Sequence, residues 1–245
     1  MLIQSYLNEE TLKKTRQFSE CSLTIIPSPR HLIRGLVGLG LMKKTHDNFL
    51  IPPQQQLDSL LEHYQARRYV DAEKLSLFIT KEFPKHQFAW KVHAAVLKQI
   101  GKINESLVAS QRSVQLNPQD TQAHNNLGVT LQGIGRLNEA EASYRQAIAL
   151  KPDFAQAHNN LGSILQKLAR LKESEASYRQ AIALKPDYAQ TYSNFGTLLI
   201  KLDRLNEAEA SFRKAITLKP DYAEANYNLG NTLQELGRLN EAEAS

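Results

Sequence analysis

Cysteine is nearly absent from this chain of 245 residues, since Cys21 is its single cysteine. One cysteine can form no disulfide within the chain and offers no zinc-ligand spacing, and such usage is typical of proteins from a reducing cytoplasm. Long apolar runs are also missing, because no stretch approaches the roughly 20 residues that cross a bilayer. We therefore expect a cytoplasmic chain with no membrane anchor, no metal and no disulfide framework.

Catalytic and nucleotide-binding motifs are missing as well. The glycine-rich stretch GLVGLG at 35–40 has no trailing acidic residue and no strand–turn–helix pattern around it, so it does not indicate a dinucleotide site. No nucleophile-elbow motif is present, and the carboxylates fall at predicted helix starts, where capping explains them. We expect no catalytic residue, no cofactor and no enzymatic activity in this chain.

What the sequence does contain is a repeat. The segment KPDFAQAHNNLG at 151–162 returns as KPDYAQTYSNFG at 185–196 and as KPDYAEANYNLG at 219–230, each time after 34 residues. A looser copy, NPQDTQAHNNLG, ends at Gly128. A constant period of this length indicates a stack of equivalent structural units and argues against a single globular core.

Within one period, the sequence has the pattern of two helices joined by a turn. In 121–154, apolar residues recur at spacings of three and four on both sides of the segment GIGRLN, which is helical periodicity. Gly135 suits the left-handed turn that ends a helix, and Pro152 ends the second helix. Each period therefore predicts a helical hairpin.

Polar residues at the predicted helix starts have the spacing of capping boxes. Asn138 precedes Glu141 by three residues, and Asp153 precedes Gln156 by the same interval. The equivalent pairs are Asn206 with Glu209, Asp187 with Gln190, and Asp221 with Glu224. We expect these side chains to cap their helices.

Small and large residues recur in fixed columns, with glycine in the first helix and an aromatic residue in the second. The members are Gly128, Gly162, Gly196 and Gly230, and Tyr144, Tyr178 and Phe212. Because glycine inside a helix costs about 1 kcal/mol relative to alanine, its repetition indicates close packing. With the 34-residue period, the Leu–Gly pair and the closing proline, these columns resemble the tetratricopeptide repeat family. That resemblance implies an all-α, right-handed superhelical solenoid of antiparallel helix–turn–helix repeats.

Four residues depart from the columns. Ser174 replaces a recurrent alanine, and Ser110 stands where later repeats have the aromatic residue. Ala169 and Asp203 replace the turn glycine. We expect these residues to weaken individual hairpins without altering the fold.

The repeat boundaries divide the chain into an extension and six hairpins. They are an extension at 1–52, a degenerate repeat at 53–86, repeats at 87–120, 121–154, 155–188 and 189–222, and a truncated repeat at 223–245. Residues 1–41 share nothing with the repeats. Either they form an extra helix on the first hairpin, or translation begins at Met42, the interpretation that we favour. Because Ser245 falls inside a second helix, we expect a fragment of a longer protein, whose uncapped end could self-associate.

In this family the first helices line the inner face of the solenoid, which implies that their polar side forms a peptide-binding groove. Asparagine occupies one position of that side in four consecutive repeats, and other amides recur beside it. The candidate groove residues are Asn126, Asn160, Asn194, Asn228, Gln122, Gln156, Gln190, Asn125, Asn159, Gln132 and Gln166.

Two interpretations of the asparagine column stay open. A primary amide offers two donors and an acceptor, so a regular row of amides can bond the main chain of an extended peptide. The row resembles the asparagine ladder in the repeat arm of O-linked N-acetylglucosamine transferases. On this interpretation, replacing Asn126, Asn160 and Asn194 with alanine should abolish peptide capture with little effect on thermal unfolding. On the other interpretation, the amides only bond a neighbouring helix.

Charge and histidine give weaker signals. The net charge is +5, but Glu141 and Arg145, like their equivalents in later repeats, are spaced to neutralise each other along a helix. With no continuous basic stripe, we expect no nucleic-acid partner. His124 and His158 lie one repeat apart, roughly 10 Å in packed helices, which is too far for one zinc ion. We expect them to be half-buried packing residues.

Two functions are therefore predicted. The first is a non-catalytic scaffold that binds a protein or peptide in the inner groove. The alternative is the N-terminal substrate-recognition arm of a larger glycosyltransferase or sulfotransferase, because the repeats resemble the arms of bacterial proteins of these kinds. The chain itself is expected to bind neither nucleic acid nor a membrane.

Overall fold

A computed structural model describes residues 51–237, and all regular secondary structure in that range is helical, as predicted. The helices are α1 Gln54–Gln65, α2 Tyr69–Glu82, α3 Gln87–Gln99, α4 Ile103–Leu116, α5 Thr121–Gly133, α6 Leu137–Leu150, α7 Ala155–Lys167, α8 Leu171–Leu184, α9 Ala189–Lys201, α10 Leu205–Leu218 and α11 Ala223–Glu235. Between residues 51 and 237 no helix is both long and apolar enough to span a bilayer. The interpretations of residues 1–41 and of the end at Ser245 concern residues outside the described range.

The helices divide into two compact units after Asn117. In the first unit, α1 pairs with α2 and α3 pairs with α4 as antiparallel hairpins. In the second unit, the hairpins are α5–α6, α7–α8 and α9–α10, and α11 packs on the last of them. Each unit is thus a stack of helical hairpins, which confirms the solenoid class predicted from the 34-residue period.

Each complete hairpin of the second unit presses a buried aromatic ring against a helical glycine. A Cβ atom added to the glycine would lie closer to the ring than real Cβ contacts allow. The pairs are Gly128 with Tyr144 at 2.6 Å, Gly162 with Tyr178 at 2.8 Å, and Gly196 with Phe212 at 2.7 Å. The glycine column therefore exists because the second helix packs its largest side chain onto the backbone of the first helix.

The turns between paired helices require a left-handed residue. Gly135 has φ +78° and Gly101 has φ +81°, as expected for a turn glycine at a helix end. Ala169 and Asp203 occupy the same position with φ near +59° and +58°. A side chain in that conformation costs on the order of 1 kcal/mol relative to glycine, so the prediction that these two turns are weaker than the others agrees with their geometry.

The predicted capping boxes are wrong. Helices α6, α8 and α10 begin one residue after Arg136, Arg170 and Arg204, and these N-cap residues make no side-chain cap bond. Helices α7, α9 and α11 likewise follow uncapped aromatic residues, which are Phe154, Tyr188 and Tyr222. The predicted caps lie elsewhere because Asn138 and Asn206 fall inside the first helical turn, while Asp153, Asp187 and Asp221 fall one residue too early.

Two other residues provide the side-chain caps of the described helices. Asp120 accepts a hydrogen bond from the backbone N–H of Ala123 at 3.0 Å, and His86 accepts one from Ala89 at 3.3 Å. Both stand directly before the helix they cap, α5 and α3 respectively. In later repeats the equivalent position holds an aromatic residue, so the side-chain cap is lost.

Ion pairs tie the second helices of neighbouring hairpins together. Arg170 bonds Glu173 on its own helix and Glu141 on α6, at 2.5 and 2.7 Å. Arg145 pairs with both glutamates from the other side, at 2.9 Å to Glu141 and 3.4 Å to Glu173, which closes a four-residue ring. The predicted pairing along each helix is therefore present, and the bridge from α6 to α8 adds contact between hairpins. Because these groups are partly exposed, we expect a modest contribution to stability.

The serine at the recurrent alanine position does not leave an unsatisfied group. Ser174 is fully buried, and its hydroxyl donates to the Gly162 carbonyl at 2.8 Å. In the first unit, Ser106 donates to the carbonyl of Ala94 in the same way. The extra donor meets a helical carbonyl that can accept a second bond, so serine replaces alanine at this position without losing a hydrogen bond.

Candidate functional site

The first helices of the second unit are neighbours along one face. Helix α7 contacts α5 and α9, and α9 contacts α11, while each is also packed against the second helices. The polar side chains that the sequence assigned to a groove lie on these four helices. The candidate site is therefore one face made by α5, α7, α9 and α11, and we call it the inner face.

A network of side-chain amides crosses the inner face from helix to helix. Asn160 on α7 donates from Nδ2 to Asn125 Oδ1 on α5 at 3.0 Å. One repeat later, Asn194 on α9 donates to Asn159 Oδ1 on α7, also at 3.0 Å. Asn159 in turn donates to Asn160 Oδ1 at 3.3 Å. These bonds join three consecutive first helices through amides alone.

Glutamines support the network from one helical turn away. Gln122 donates to Asn126 Oδ1 at 2.9 Å, and Gln190 donates to Asn194 Oδ1 at 3.1 Å. Both bonds run between residues four apart on the same helix, which is the spacing at which side chains on a helix surface meet. They hold the asparagine amides in one orientation, and the remaining groove glutamine of this position, Gln156, is half-buried.

The network is buried more deeply than the sequence predicted. Asn125, Asn126 and Asn159 are less than 5% exposed, while Asn160 and Asn194 are half-buried. The Nδ2 atoms of Asn125 and Asn126 have no hydrogen-bond partner in the structure. A buried donor without a partner costs free energy, so these two amides are the least satisfied members of the network.

Glutamines at the other end of the first helices are held by the buried tyrosines. Tyr144 donates from its hydroxyl to Gln132 Oε1 at 3.0 Å, and Tyr178 donates to Gln166 Oε1 at 3.3 Å. Burial raises the pKa of Tyr178, which keeps its hydroxyl protonated as a donor. In the next hairpin both partners change together, because Phe212 lacks the hydroxyl and Ile200 stands where the glutamine was. This paired change is visible in the sequence, and it identifies the contact.

We expect the amide network to contribute to stability. This expectation revises the prediction that replacing its asparagines would leave unfolding nearly unchanged. Asn194→Ala removes the donor to Asn159, whose buried carbonyl oxygen would lose its partner. We expect the free energy of unfolding in urea to fall by about 2 kcal/mol. As a matched control, Asn138→Ala replaces an exposed asparagine in the first turn of α6 and should be neutral or slightly stabilising. Equal free energies of unfolding for the two variants would show that the amide network does not stabilise the fold.

The repeated histidines have a structural role. His124 Nε2 lies 2.9 Å from the carbonyl of Pro118, and His158 Nε2 lies 2.9 Å from the carbonyl of Pro152. Trp90 and Asn226 donate to the equivalent proline carbonyls, at 2.9 and 3.3 Å. Since the acceptor is a carbonyl each time, these histidines carry the proton on Nε2. In the described part of the chain no three His, Cys, Asp or Glu residues are grouped to hold a metal ion.

Family models match the second unit. A model described as TPR repeat matches residues 133–168 and 196–237, and one described as Tetratricopeptide repeat matches residues 155–188. No match is found among curated proteins.

Several solved structures share the fold. A thermophilic TPR protein of Thermus thermophilus, TTC0263, is 26% identical, with a TM-score of 0.62 over 74% of this chain and 98% of that one. PilW, a widely conserved type IV pilus biogenesis factor, is 20% identical, with a TM-score of 0.72 over 78% of this chain and 90% of that one. YrrB, a TPR protein with an unusual peptide-binding site, is 20% identical, with a TM-score of 0.53 over 68% and 86%.

The predicted likeness to the repeat arms of transferases is not supported by these matches. What they share with this chain is the helical hairpin and its repetition, and the family models cover the hairpins that carry the inner face. The hairpins between residues 133 and 237 are tetratricopeptide repeats.

Proposed function

We propose that this chain is a non-catalytic scaffold that binds an extended peptide along the inner face of its second unit. The observation that carries the proposal is the amide network, which links Asn125 to Asn160 and Asn159 to Asn194 across three helices. A row of amides at a constant interval is a recognition surface for a repeating ligand. The main chain of an extended peptide repeats in that way, whereas its side chains do not.

The network leaves hydrogen-bonding capacity for such a ligand. Each Asn160 and Asn194 amide uses one of its two N–H groups for the neighbouring helix, so one N–H remains. The helices are spaced by roughly 10 Å, which is close to one three-residue turn of an extended polyproline II chain at about 3.1 Å per residue. A peptide lying across the first helices would therefore present a carbonyl to each amide in turn.

The folds of the matched proteins agree with a protein-binding role. YrrB is described as having a peptide-binding site, and at 20% identity the likeness supports the shared fold, not the same ligand. The inner face also offers few charges to select side chains, since its central positions are amides, Ser163 and Thr197. We therefore expect a binder that tolerates varied peptide sequences.

The test uses substitutions that block the inner face without touching the network. Ser163→Arg and Thr197→Arg place two long side chains one helical turn from Asn160 and Asn194. Peptides selected from a displayed random library against the full chain should bind this double variant at least about tenfold more weakly. Fluorescence anisotropy of labelled selected peptides provides the affinity.

The matched control is Ala176→Arg with Ala210→Arg, which adds the same charge at exposed positions of the second helices. This variant should keep the affinity of the parent chain. If the two double variants bind the selected peptides equally, the inner face is not the binding site. Equal urea midpoints for both variants would confirm that the loss on the inner face is not unfolding.

A further inference from the structure

The outward side of α2 in the first unit differs from that of the other second helices. Val70, Leu77 and Phe78 are 63%, 41% and 49% exposed. They stand seven and eight residues apart on one helix, so they share a face. On the neighbouring second helix, α4, Val108 is 64% exposed. Four of the large apolar side chains exposed in the described range therefore lie on two second helices of one unit.

The 34-residue equivalence shows how unusual this face is. In the second unit, the positions of Val70, Leu77 and Phe78 hold polar or charged residues. They are Asn138, Arg145 and Gln146 on α6, and Lys172, Arg179 and Gln180 on α8. Arg145 and Arg179 form ion pairs with glutamates of the same unit, so the outward positions of the second unit are polar and partly paired. The equivalent positions of α2 are apolar.

Two lysines alternate with the apolar residues of α2. Lys74 and Lys81 are exposed and lie on the same side as Val70, Leu77 and Phe78. Neither forms an ion pair with any residue between 51 and 237, and both replace alanines of α6, Ala142 and Ala149. The face from Val70 to Lys81 therefore combines three apolar side chains with two lysines, and the exposed carboxylate of Asp71 lies at its edge, seven residues before Phe78. The face extends roughly 16 Å along the helix.

A depression in the second unit identifies the residues that border the equivalent outward face there. In the second unit, a depression of about 420 Å³ is lined by Arg145 on α6, by His158 and Leu161 on α7, and by Ala176 on α8. The corresponding residues of the first unit are Leu77, Trp90, His93 and Val108. Three of these four residues, Leu77, Trp90 and Val108, are apolar, and Trp90 is the single tryptophan of the chain.

We propose that the outward side of α2, together with Val108 on α4, is a second interaction surface that binds an acidic amphipathic helix of a protein partner. An apolar stripe at helical spacing fits a partner helix that buries residues at i, i+3, i+4 and i+7. Lys74 and Lys81 select carboxylates on the flanks of that helix, because neither lysine pairs with an acidic side chain between residues 51 and 237. This surface is separate from the inner face, so the proposal does not rest on the peptide-binding function.

The test converts the α2 face into its equivalent on α6. The variant V70N/K74A/L77R/F78Q/K81A carries the residues that α6 has at the same five positions, so the helix should remain folded. A displayed library of random peptides of about 18 residues, long enough for five helical turns, is selected against the full chain and then counter-selected against the variant. We expect surviving clones to show apolar residues at helical spacing flanked by Asp or Glu. They should bind the variant at least about tenfold more weakly and change the fluorescence of Trp90.

Four results would overturn the proposal. In the first result, no selected clone distinguishes the parent chain from the variant, and in the second, the surviving clones lack the acidic helical pattern. In the third, anionic vesicles bind the parent but not the variant while no peptide does. In the fourth, the parent chain forms a dimer that the variant does not form. The first two deny the partner, the third assigns the surface to a membrane, and the fourth assigns it to a second copy. Peptides that bind the inner face are recognised because the double variant Ser163→Arg with Thr197→Arg weakens their binding, whereas the α2 variant does not.

Discussion

Replacing Gly162 with alanine should lower the free energy of unfolding by about 3 kcal/mol. The added Cβ would lie 2.8 Å from two ring carbons of Tyr178, and the ring is fully buried and cannot move aside. In a helix without this contact, the same substitution would stabilise by about 1 kcal/mol, because alanine is the better helix former. The sign of the effect therefore separates close packing from helix propensity, and urea unfolding at neutral pH measures it.

The second half of this experiment relieves the contact. Tyr178→Leu alone should destabilise the chain, because it empties part of the space that the ring fills. In the double variant with Gly162→Ala, the new methyl group enters that space, so the combined loss should be smaller than the sum of the single losses. Additive losses would mean that glycine and ring do not compete for the same volume.

The repeat sequence was sufficient to predict the hairpins and the packing columns. The glycine and aromatic columns change together along the chain, since Gly128, Gly162 and Gly196 face aromatic rings, while Ala94 faces Ser110 at the equivalent positions. A larger residue on one helix accompanies a smaller one on the other. Such compensation is visible in an unaligned chain because the repeats serve as their own alignment.

The helix starts could not be predicted from the same sequence. The pairs Asn138 with Glu141 and Asp153 with Gln156 satisfy the spacing rule for a capping box, but the helices begin at Leu137 and Ala155. Both helices follow residues that make no side-chain cap bond, Arg136 and Phe154. A capping signal displaced by a single residue therefore does not fix the helix start.

The sequence predicted which residues carry the candidate site. It did not predict which amides bond to each other across neighbouring helices. Sequence reasoning placed the asparagines on one face and left open whether they bond a ligand or a neighbouring helix. The bonds from Asn160 to Asn125 and from Asn194 to Asn159 join residues 35 apart, one more than the period. That offset depends on how neighbouring helices are rotated about their axes, and the sequence pattern does not contain this rotation.

Acid should destabilise the first unit through His93. This side chain is 7% exposed, and its Nδ1 lies 2.8 Å from Ser76 Oγ in the interior. Burial lowers the pKa of His93 from 6.5 to about 4, while the nearby Glu73 raises it slightly and Lys102 lowers it. Burial also lowers the pKa of His86, whose ring accepts the cap bond of α3. Both shifts favour the neutral ring in the folded chain.

The direction of the pH effect follows from these shifts. Between pH 6.5 and pH 4, the unfolded chain binds a proton at His93 that the folded chain does not bind, so protonation favours unfolding. The stability contributed by the neutral ring is therefore complete above pH 6.5 and falls as the pH drops toward 4. The loss should reach about 3 kcal/mol at the lower end.

The variant His93→Leu tests this assignment with the residue that α7 carries at the same position, Leu161. Urea unfolding is followed by the fluorescence of Trp90, whose ring centre lies 6.2 Å from that of His93 and which therefore reports on the first unit. Relative to its own stability at pH 7.5, the variant should lose about 3 kcal/mol less than the parent chain by pH 4. Parallel stability curves for the two chains would show that His93 takes no part in the acid transition. The remaining slope of the variant then measures His86 together with the carboxylates held in ion pairs, such as Glu173 and Glu175. Their pKa values are lowered by hydrogen bonds from Arg170 and Arg204, respectively.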